Sequence, residues 1–184
     1  MRVVSGSKKG HPLQAVSGKG TRPTVDKVKE SIFNMIGPYF DGGLALDLYA
    51  GTGGLGIEAL SRGVERCIFI DANRKAVSVV YKNLDATGLR DQAEVYCNDA
   101  NRALNALAKR ELVFDLVFLD PPYAEQKIES QLGIMNDHGL LASGALIVAE
   151  HDAKDKMCEQ IADIVKIRET TYGQTVITIY RKEI

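Results

Sequence analysis

Asp120-Pro121-Pro122-Tyr123 combines groups that could act on a planar amine, and it directly follows an apolar run that predicts a buried strand. The two prolines fix the backbone and remove two N–H donors, which leaves the Asp120 carboxylate and the Pro121 carbonyl as acceptors beside a flat ring. If both acceptors take the hydrogens of an exocyclic amine or a carboxamide, the nitrogen becomes pyramidal and its lone pair turns towards an electrophilic methyl group. Tyr123 would stack on the plane. The alternative is a rigid turn that leaves a strand.

A glycine-rich turn is the second candidate site. The stretch from 44 to 56 has the pattern of a short strand, a tight turn and the start of a helix, with Gly51, Gly53 and Gly56 in the spacing G-x-G-x-x-G. Such a turn often has an acidic partner about 20 positions on that binds ribose hydroxyls, and Asp71 ends the next predicted strand. A purely structural turn is the alternative.

Asp47 narrows the choice of ligand for this turn. It places a carboxylate inside the strand just ahead of the glycines, where a pyrophosphate would be repelled. S-adenosylmethionine has a sulfonium, an ammonium and a ribose but no phosphate, so it suits a turn flanked by Asp47 and Asp71 better than NAD does. Asn98-Asp99 ends the third predicted strand and could receive the adenine amine, although a helix cap is an equally simple role for Asp99.

Alternating strands and helices must position these residues, since ligands of open parallel sheets bind beyond the carboxyl ends of strands. The pattern predicts an α/β fold with a seven-stranded, mostly parallel sheet whose last strand is antiparallel. The predicted strands span 44–49, 66–71, 93–97, 113–119, 145–149, 164–171 and 175–180. The predicted helices span 24–36, 54–62, 74–86, 101–109, 127–136 and 153–163.

Thr24 and Asn73 are predicted N-caps, and Tyr172-Gly173-Gln174 is predicted to join the last two strands as a hairpin. In the first helix, four charged residues are expected on the polar face: Asp26, Lys27, Lys29 and Glu30.

Composition separates a basic arm from an acidic body. The 184 residues are 45% hydrophobic, which fits one domain and an appendage: an arm or hairpin over 1–22 and a catalytic domain over 23–184. Residues 1–30 carry a net charge of +5, and the remainder carries −6. This asymmetry suggests a polyanionic partner for the arm, although a solvated charged face is an equally good interpretation.

Several classes of protein and site are not indicated. We find no apolar leader and no run of about 18 apolar residues, so we expect a cytoplasmic protein without a membrane span. The three cysteines and three histidines have neither disulfide nor metal spacing, and we expect no metal site.

A family resemblance covers essentially the whole chain. Its most specific pieces are three stretches: Thr21 to Asn34, Leu46 to Gly63, and Asp120 to Tyr123. In them the chain resembles the bacterial small-subunit ribosomal RNA guanine-N2 methyltransferase family often called RsmD. The resemblance implies a class I methyltransferase sheet and methylation of a guanine amine in 16S ribosomal RNA, with guanine 966 as the family target. It also implies that ribosomal RNA or a partly assembled small ribosomal subunit is the partner; we expect the protein to be a monomer.

The resemblance also assigns residues to roles. The implied cofactor-binding residues for S-adenosylmethionine are Asp47, Ala50, Gly51, Thr52, Gly53, Asp71, Ala72, Asp99 and Asp120. The implied catalytic residues are Asp120, Pro121, Pro122 and Tyr123. Together with the charge of the arm, it predicts RNA contacts by Arg2, Lys8, Lys9, Lys19, Arg22 and Tyr123. Asp71 stands where similar proteins often carry Glu, and Tyr49 and Thr52 replace a common Phe and Ser.

Two other functions fit the same motifs. An adenine-N6 DNA methyltransferase or a glutamine-N5 protein methyltransferase would use the same tetrapeptide, although DNA enzymes usually add a target-recognition domain for which this chain has little room. A non-catalytic RNA-binding assembly factor could keep the fold, but the intact Asp120 and glycine turn argue against it.

Overall fold

The sheet is mixed and carries helices on both faces. The computed structural model describes residues 1–17 and 25–184. Their helices are α1 (Asp26–Ile36), α2 (Gly54–Ser61), α3 (Arg74–Thr87), α4 (Ala100–Lys109) and α5 (Ile128–Asp137). Their strands are β1 (Leu44–Asp47), β2 (Arg66–Asp71), β3 (Ala93–Cys97), β4 (Phe114–Leu119), β5 (Leu141–Asp152), β6 (Gln160–Ile161), β7 (Ile164–Tyr172) and β8 (Thr175–Lys182).

The strand order is β3-β2-β1-β4-β5-β8-β7-β6. Strands β1 to β5 are parallel, and β8 pairs antiparallel with both β5 and β7. This confirms the predicted alternation, the antiparallel last strand and the hairpin turn after Tyr172. It also brings the carboxyl ends of β1 to β4 to one edge of the sheet, which we call the carboxyl edge.

Two hydrophobic clusters fill the layers on either side of the sheet. One contains Phe33 of α1, Ile57 of α2 and Val80 of α3. The other contains Leu104 of α4 and Leu132 of α5. Strand residues alternate between the clusters, as the period of two requires: Phe118 belongs to the first and Leu119 to the second.

The region from 153 to 163 corrects the predicted helix and strand number. Its backbone bonds to neighbouring elements instead of to its own previous turn: Cys158 N–H donates to Glu129 Oε1, and Lys166 N–H donates to the Glu159 carbonyl. The short strand β6 then pairs with β7. The sheet therefore has eight strands where seven were predicted.

Helix α1 corrects a second expectation. Ile32, Phe33 and Ile36 are buried as the periodicity predicts, but Lys29, expected on the polar face, is fully buried as well. The residue at the N-cap of α1 is Val25, and Thr24 lies outside the described residues.

The N-terminal segment, residues 1–17, folds against α2. An antiparallel bridge joins Arg2 and Pro12. Val3 is fully buried in the first hydrophobic cluster, so the segment contributes to the core. The division into an arm over 1–22 and a domain over 23–184 remains a prediction.

A buried charge network ties this segment to the helices. Glu58 of α2 lies 3.3 Å from Lys29 Nζ and 2.8 Å from Arg62 Nε. Its two oxygens also accept the backbone N–H groups of Val4 and Ser5 at 2.9 and 3.0 Å. Because the Lys29 and Glu58 side chains are fully buried, one carboxylate joins α1, α2 and the chain start away from water.

Candidate active site

The glycine turn has the tight geometry that its spacing predicts. Gly51 has φ +58°, and a Cβ placed on it would have no heavy atom within 4 Å, so space beside this residue is open. A Cβ on Gly56 would lie 2.3 Å from the Phe69 ring, which shows why α2 needs glycine to pack on β2. The turn thus combines close helix packing with room for a ligand.

Three N–H groups of the turn donate to acceptors within the protein. Gly51 N–H donates to Asp71 Oδ2, and Gly53 N–H donates to the Ala50 carbonyl. Gly54 N–H donates to Thr52 Oγ1. Phosphate-binding turns instead direct such donors at the ligand. This arrangement disfavours a dinucleotide pyrophosphate.

Asp71 ends β2 at the carboxyl edge and is half-buried. Its Oδ2 accepts Gly51 N–H at 2.8 Å, and its Oδ1 accepts Asn73 N–H at 2.9 Å. Each carboxylate oxygen has a second lone pair, so both can still accept a hydroxyl. Asp71 therefore fixes the turn and presents acceptors beside it. The neighbouring Ala72 is exposed.

Asp47 is buried beneath the turn. The residue is 2% exposed, and its Oδ2 accepts Gly56 N–H at 3.0 Å. Burial raises the pKa of Asp47 to about 7; the hydrogen bond from Gly56 opposes this rise and the charge of Asp71 adds to it. At neutral pH the carboxyl is poised between its two forms.

Asp99 follows β3 on the same edge, is exposed, and accepts Arg102 N–H at 3.1 Å as the N-cap of α4. The helix-cap alternative is thus confirmed, and it leaves acceptor capacity on the carboxylate. Asn73 caps α3 as predicted, accepting Lys75 N–H at 2.8 Å.

The catalytic candidate Asp120 directly follows β4, beside the turn after β1 in the sheet. Burial raises its pKa well above the ordinary range, and the charges of Glu150 and Asp47 and a hydrogen bond with Glu150 add to that rise. Pro121 is buried and Pro122 is exposed. The two motifs named at the start therefore lie on neighbouring strands and one edge.

Tyr123 presents its ring at this edge. It is 37% exposed, and its hydroxyl lies 2.6 Å from Thr175 Oγ1 at the start of β8. The hydrogen bond at the far end of the phenol fixes the ring, which a ring that stacks on a base requires.

The predicted RNA contacts are dispersed. Arg2 is exposed and lies 3.3 Å from Asp26 in an ion pair. Lys8 donates its backbone N–H to Ser61 Oγ, and its Nζ approaches Gly88. Because α2 and α3 both end there, Lys8 and its neighbour Lys9 lie at the edge opposite the carboxyl edge. The structure does not bring Lys8 or Lys9 over Tyr123. Lys19 and Arg22 lie outside the described residues.

Sequence reasoning missed a polar group behind the glycine turn. Gln131 of α5 is 1% exposed and donates to the Tyr49 hydroxyl at 2.6 Å and to Asn101 Oδ1 at 3.1 Å. Among the described residues its Oε1 finds no hydrogen-bond partner. Tyr49 had drawn attention only as a replacement for Phe; the hydroxyl that Phe lacks is what makes this bond.

It also missed Glu150, the residue of β5 beside Asp120. The sequence could have identified Glu150, because it directly follows the predicted strand 145–149 just as Asp120 directly follows the strand 114–119.

Comparisons with known proteins were made for the whole chain. The family model described as "Conserved hypothetical protein 95" matches residues 1–181. "Ribosomal RNA small subunit methyltransferase D" of Escherichia coli is 32% identical over 100% of this chain and 90% of that protein. The chain belongs to this family. A Bacillus subtilis member, "Putative rRNA methyltransferase YlbH", is 58% identical over 99% of both chains.

A solved structure agrees with this assignment. "Putative methyltransferase yhhF from Escherichia coli" superposes with a TM-score of 0.85 at 30% identity, covering 100% of this chain and 98% of that one. The sheet and its edge are therefore those of the class I methyltransferase fold, as predicted.

Residues 1–17 and 25–184 were searched for membrane-spanning helices and for groups of metal ligands. None of their helices has the length and apolar character needed to cross a membrane. Their His, Cys, Asp and Glu side chains form no group of three that could hold a metal ion.

Proposed function

We propose that this protein transfers a methyl group from S-adenosylmethionine to the exocyclic N2 amine of a guanine in 16S ribosomal RNA. One observation carries the proposal: the glycine turn after β1 and Asp120 after β4 lie on adjacent strands at the same edge of the sheet. Family membership supports the methyltransferase class, because relatives carry the name of ribosomal RNA methyltransferases.

The residues of the turn fit this cofactor. Three of its N–H groups donate within the protein, so these three are not directed at a phosphate. Open space at Gly51 and the remaining lone pairs of Asp71 suit a ribose. The carboxylate of Asp71, joined by that of Asp47 when it is ionised, favours a cationic ligand. When bound, the cofactor supplies an electrophilic methyl group.

The tetrapeptide after β4 prepares the amine. The Asp120 carboxylate and the Pro121 carbonyl accept its two hydrogens, which favours a pyramidal nitrogen with a directed lone pair. Tyr123, held through Thr175, stacks on the base and keeps it in line. Asp120 must be ionised to accept a hydrogen bond from the target amine. The same carboxylate later accepts the surplus proton of the methylated nitrogen. Its raised pKa makes it a better proton acceptor than an ordinary aspartate.

A transfer assay with several acceptors tests the proposal. The protein and radiolabelled cofactor are incubated separately with 16S ribosomal RNA, isolated small subunits, partly assembled particles, DNA and a glutamine-containing protein extract, and labelled products are digested to nucleosides or amino acids. We expect N2-methylguanosine from ribosomal RNA or a subunit form, at guanine 966. N6-methyladenine or N5-methylglutamine would assign one of the rival activities. No transfer, with RNA binding retained, would favour a non-catalytic assembly factor.

A further inference from the structure

A cleft opens beside the catalytic candidate at the carboxyl edge. It has a volume of about 360 Å³ and lies between the segment that follows Tyr123 and the turn that follows β5. Because β4 and β5 are parallel and adjacent, the segments that follow them leave the sheet at the same edge. We call this site the lysine cleft, since three of its lining residues are Lys127, Lys154 and Lys156.

Short connections join the lysine cleft to Tyr123. On one wall, Lys127 is four residues further along the chain than Tyr123, so their Cα atoms are at most about 14 Å apart. On the other wall, the Tyr123 hydroxyl lies 2.6 Å from Thr175 Oγ1. Thr175 pairs with Asp152, which is two residues before Lys154. The cleft therefore lies close to the phosphates that would flank a base stacked on Tyr123.

Hydrogen bonds to backbone N–H groups fix both walls of the cleft. Asp152 Oδ1 accepts Lys154 N–H at 2.8 Å, and the Asp152 carbonyl accepts Asp155 N–H at 3.0 Å. Glu129 Oε1 of α5 accepts Cys158 N–H at 2.8 Å, which ties one wall to the other. Ordered segments thus present the lysines, so binding a ligand costs little ordering of the backbone.

The ammonium groups of the cleft are available to a ligand. All three lysines are exposed, and none forms an ion pair or a side-chain hydrogen bond with another described residue. Two carboxylates, Glu129 and Asp155, also line the cleft, and Glu129 already accepts a backbone N–H. Three lysines and two carboxylates leave a net charge of +1, whereas residues 31–184 as a whole carry −6. This local positive charge on an acidic body favours an anionic ligand.

We propose that the lysine cleft binds the phosphates of the RNA strand that flank the target guanine. This inference rests on the proposed function, which places the guanine on Tyr123. Exposed lysines spread over two segments suit the repeated phosphates of a strand, and the neighbouring aromatic ring suits one of its bases. Such contacts fix the position of the RNA without reading its sequence. They supply the phosphate contacts near the site that Lys8 and Lys9, at the opposite edge, do not supply.

Two pairs of substitutions test the lysine cleft. Lys154→Ala combined with Lys156→Ala removes two phosphate contacts, so the slope of log affinity for 16S ribosomal RNA against log salt should fall by about 1.4 to 1.8 units. Lys82→Ala combined with Lys109→Ala is the control, because these lysines of α3 and α4 are also exposed and form no ion pair with a described residue. The control should keep the wild-type slope, and both variants should bind S-adenosylmethionine normally in calorimetry.

Neutral backbone replacements then locate the contact. In a short RNA that contains the target guanine, the phosphates are replaced by methylphosphonates one at a time. Beside the guanine, a replacement should weaken binding to the wild-type protein. It should not weaken binding to the lysine-cleft variant any further, because that variant has already lost the contact.

The outcomes separate this inference from the proposed function. An unchanged salt slope in the lysine-cleft variant would overturn the inference even if the wild-type protein methylates RNA, and so would an equal loss of slope in the control. Methylphosphonate effects confined to phosphates far from the guanine would also overturn it. If the slope falls as predicted but the wild-type protein methylates no RNA, the proposed function fails and the cleft stands as an RNA-binding surface.

Discussion

A buried carboxyl such as that of Asp47 makes stability depend on pH. Its pKa is raised from 3.8 to about 7 in the folded protein, so the folded state binds the extra proton between these values. Stability is therefore greatest below the unfolded pKa and falls as pH rises towards 7, by up to about 4 kcal/mol. This direction is opposite to that of a salt-bridged aspartate.

Asp47→Asn should remove that slope, because the amide oxygen can still accept Gly56 N–H without ionising. We expect urea unfolding to show that the variant loses less stability than the wild type between pH 4 and pH 7, by about the amount above. Asp115→Asn is the control, since the exposed Asp115 likewise accepts a backbone N–H, from Leu44. Parallel curves for Asp47→Asn and wild type would contradict the assignment.

Asp71 should support cofactor binding. Replacing it with Ala removes both proposed ribose acceptors and frees Gly51 N–H, so binding of S-adenosylmethionine should weaken by about 1.5 to 3 kcal/mol. Titration calorimetry measures the change. Asp85→Ala, which removes an exposed carboxylate paired with Arg90 on α3, is the control and should bind normally. Unchanged affinity in Asp71→Ala would remove Asp71 from the site.

At the scale of single residues, the motif residues were predictable and their partners were not. The positions of Asp71, Asp120 and the glycines at the ends of predicted strands identified them as candidate site residues. Glu150 lies beside Asp120 only because β5 is next to β4 in the sheet, and the local pattern of the sequence does not reveal the order of the strands. Lys29 was misplaced for a related reason: its burial depends on Glu58, which is 29 positions away in the chain.

At the scale of elements, the buried charge network of Glu58 joins α2 to α1 and to the N-terminal segment. Glu58→Ala would leave Lys29 and Arg62 buried without their carboxylate, which should cost about 3 to 5 kcal/mol of unfolding free energy. Asp85→Ala breaks an exposed pair and should cost less than about 1 kcal/mol. Urea unfolding compares the two variants. A loss at Glu58 no greater than that at Asp85 would show that the network does not hold the N-terminal segment.

Element types followed from the sequence where local and tertiary preferences agree. Strands β2 and β3 have the predicted bounds, and α3 begins after its predicted cap. The region 153–163 differs because side chains outside it take up its backbone N–H groups: Asp152 Oδ1 accepts Lys154 N–H, and Glu129 Oε1 of α5 accepts Cys158 N–H. The tertiary hydrogen bond to Glu129 leaves no periodic trace in the chain.

Over the whole molecule, the charge asymmetry predicts how RNA is held. Lys8 and Lys9 lie at the edge of the sheet opposite the carboxyl edge, so we propose that they contact phosphates of a large RNA at a distance from the target base. Lys8→Ala combined with Lys9→Ala should lower the slope of log affinity against log salt by about 1.4 to 1.8 units. Filter binding at several salt concentrations measures it.

The same double variant should bind S-adenosylmethionine normally, because neither lysine lies near the glycine turn. Glu111→Ala together with Asp91→Ala, two exposed acidic residues, is a control for surface charge. An unaltered salt slope in the lysine variant would mean that these residues form only a solvated face.

The central claim is that the glycine turn and Asp120 form one site in which Asp120 acts on the amine. Single-turnover methyl transfer by Asp120→Ala, with cofactor affinity measured on the same sample by calorimetry, tests it most directly. We predict that the chemical step slows by about a hundredfold or more while cofactor affinity stays nearly intact, because the Asp120 interaction strengthens as the amine becomes pyramidal. A rate within a few-fold of the wild type would contradict this account.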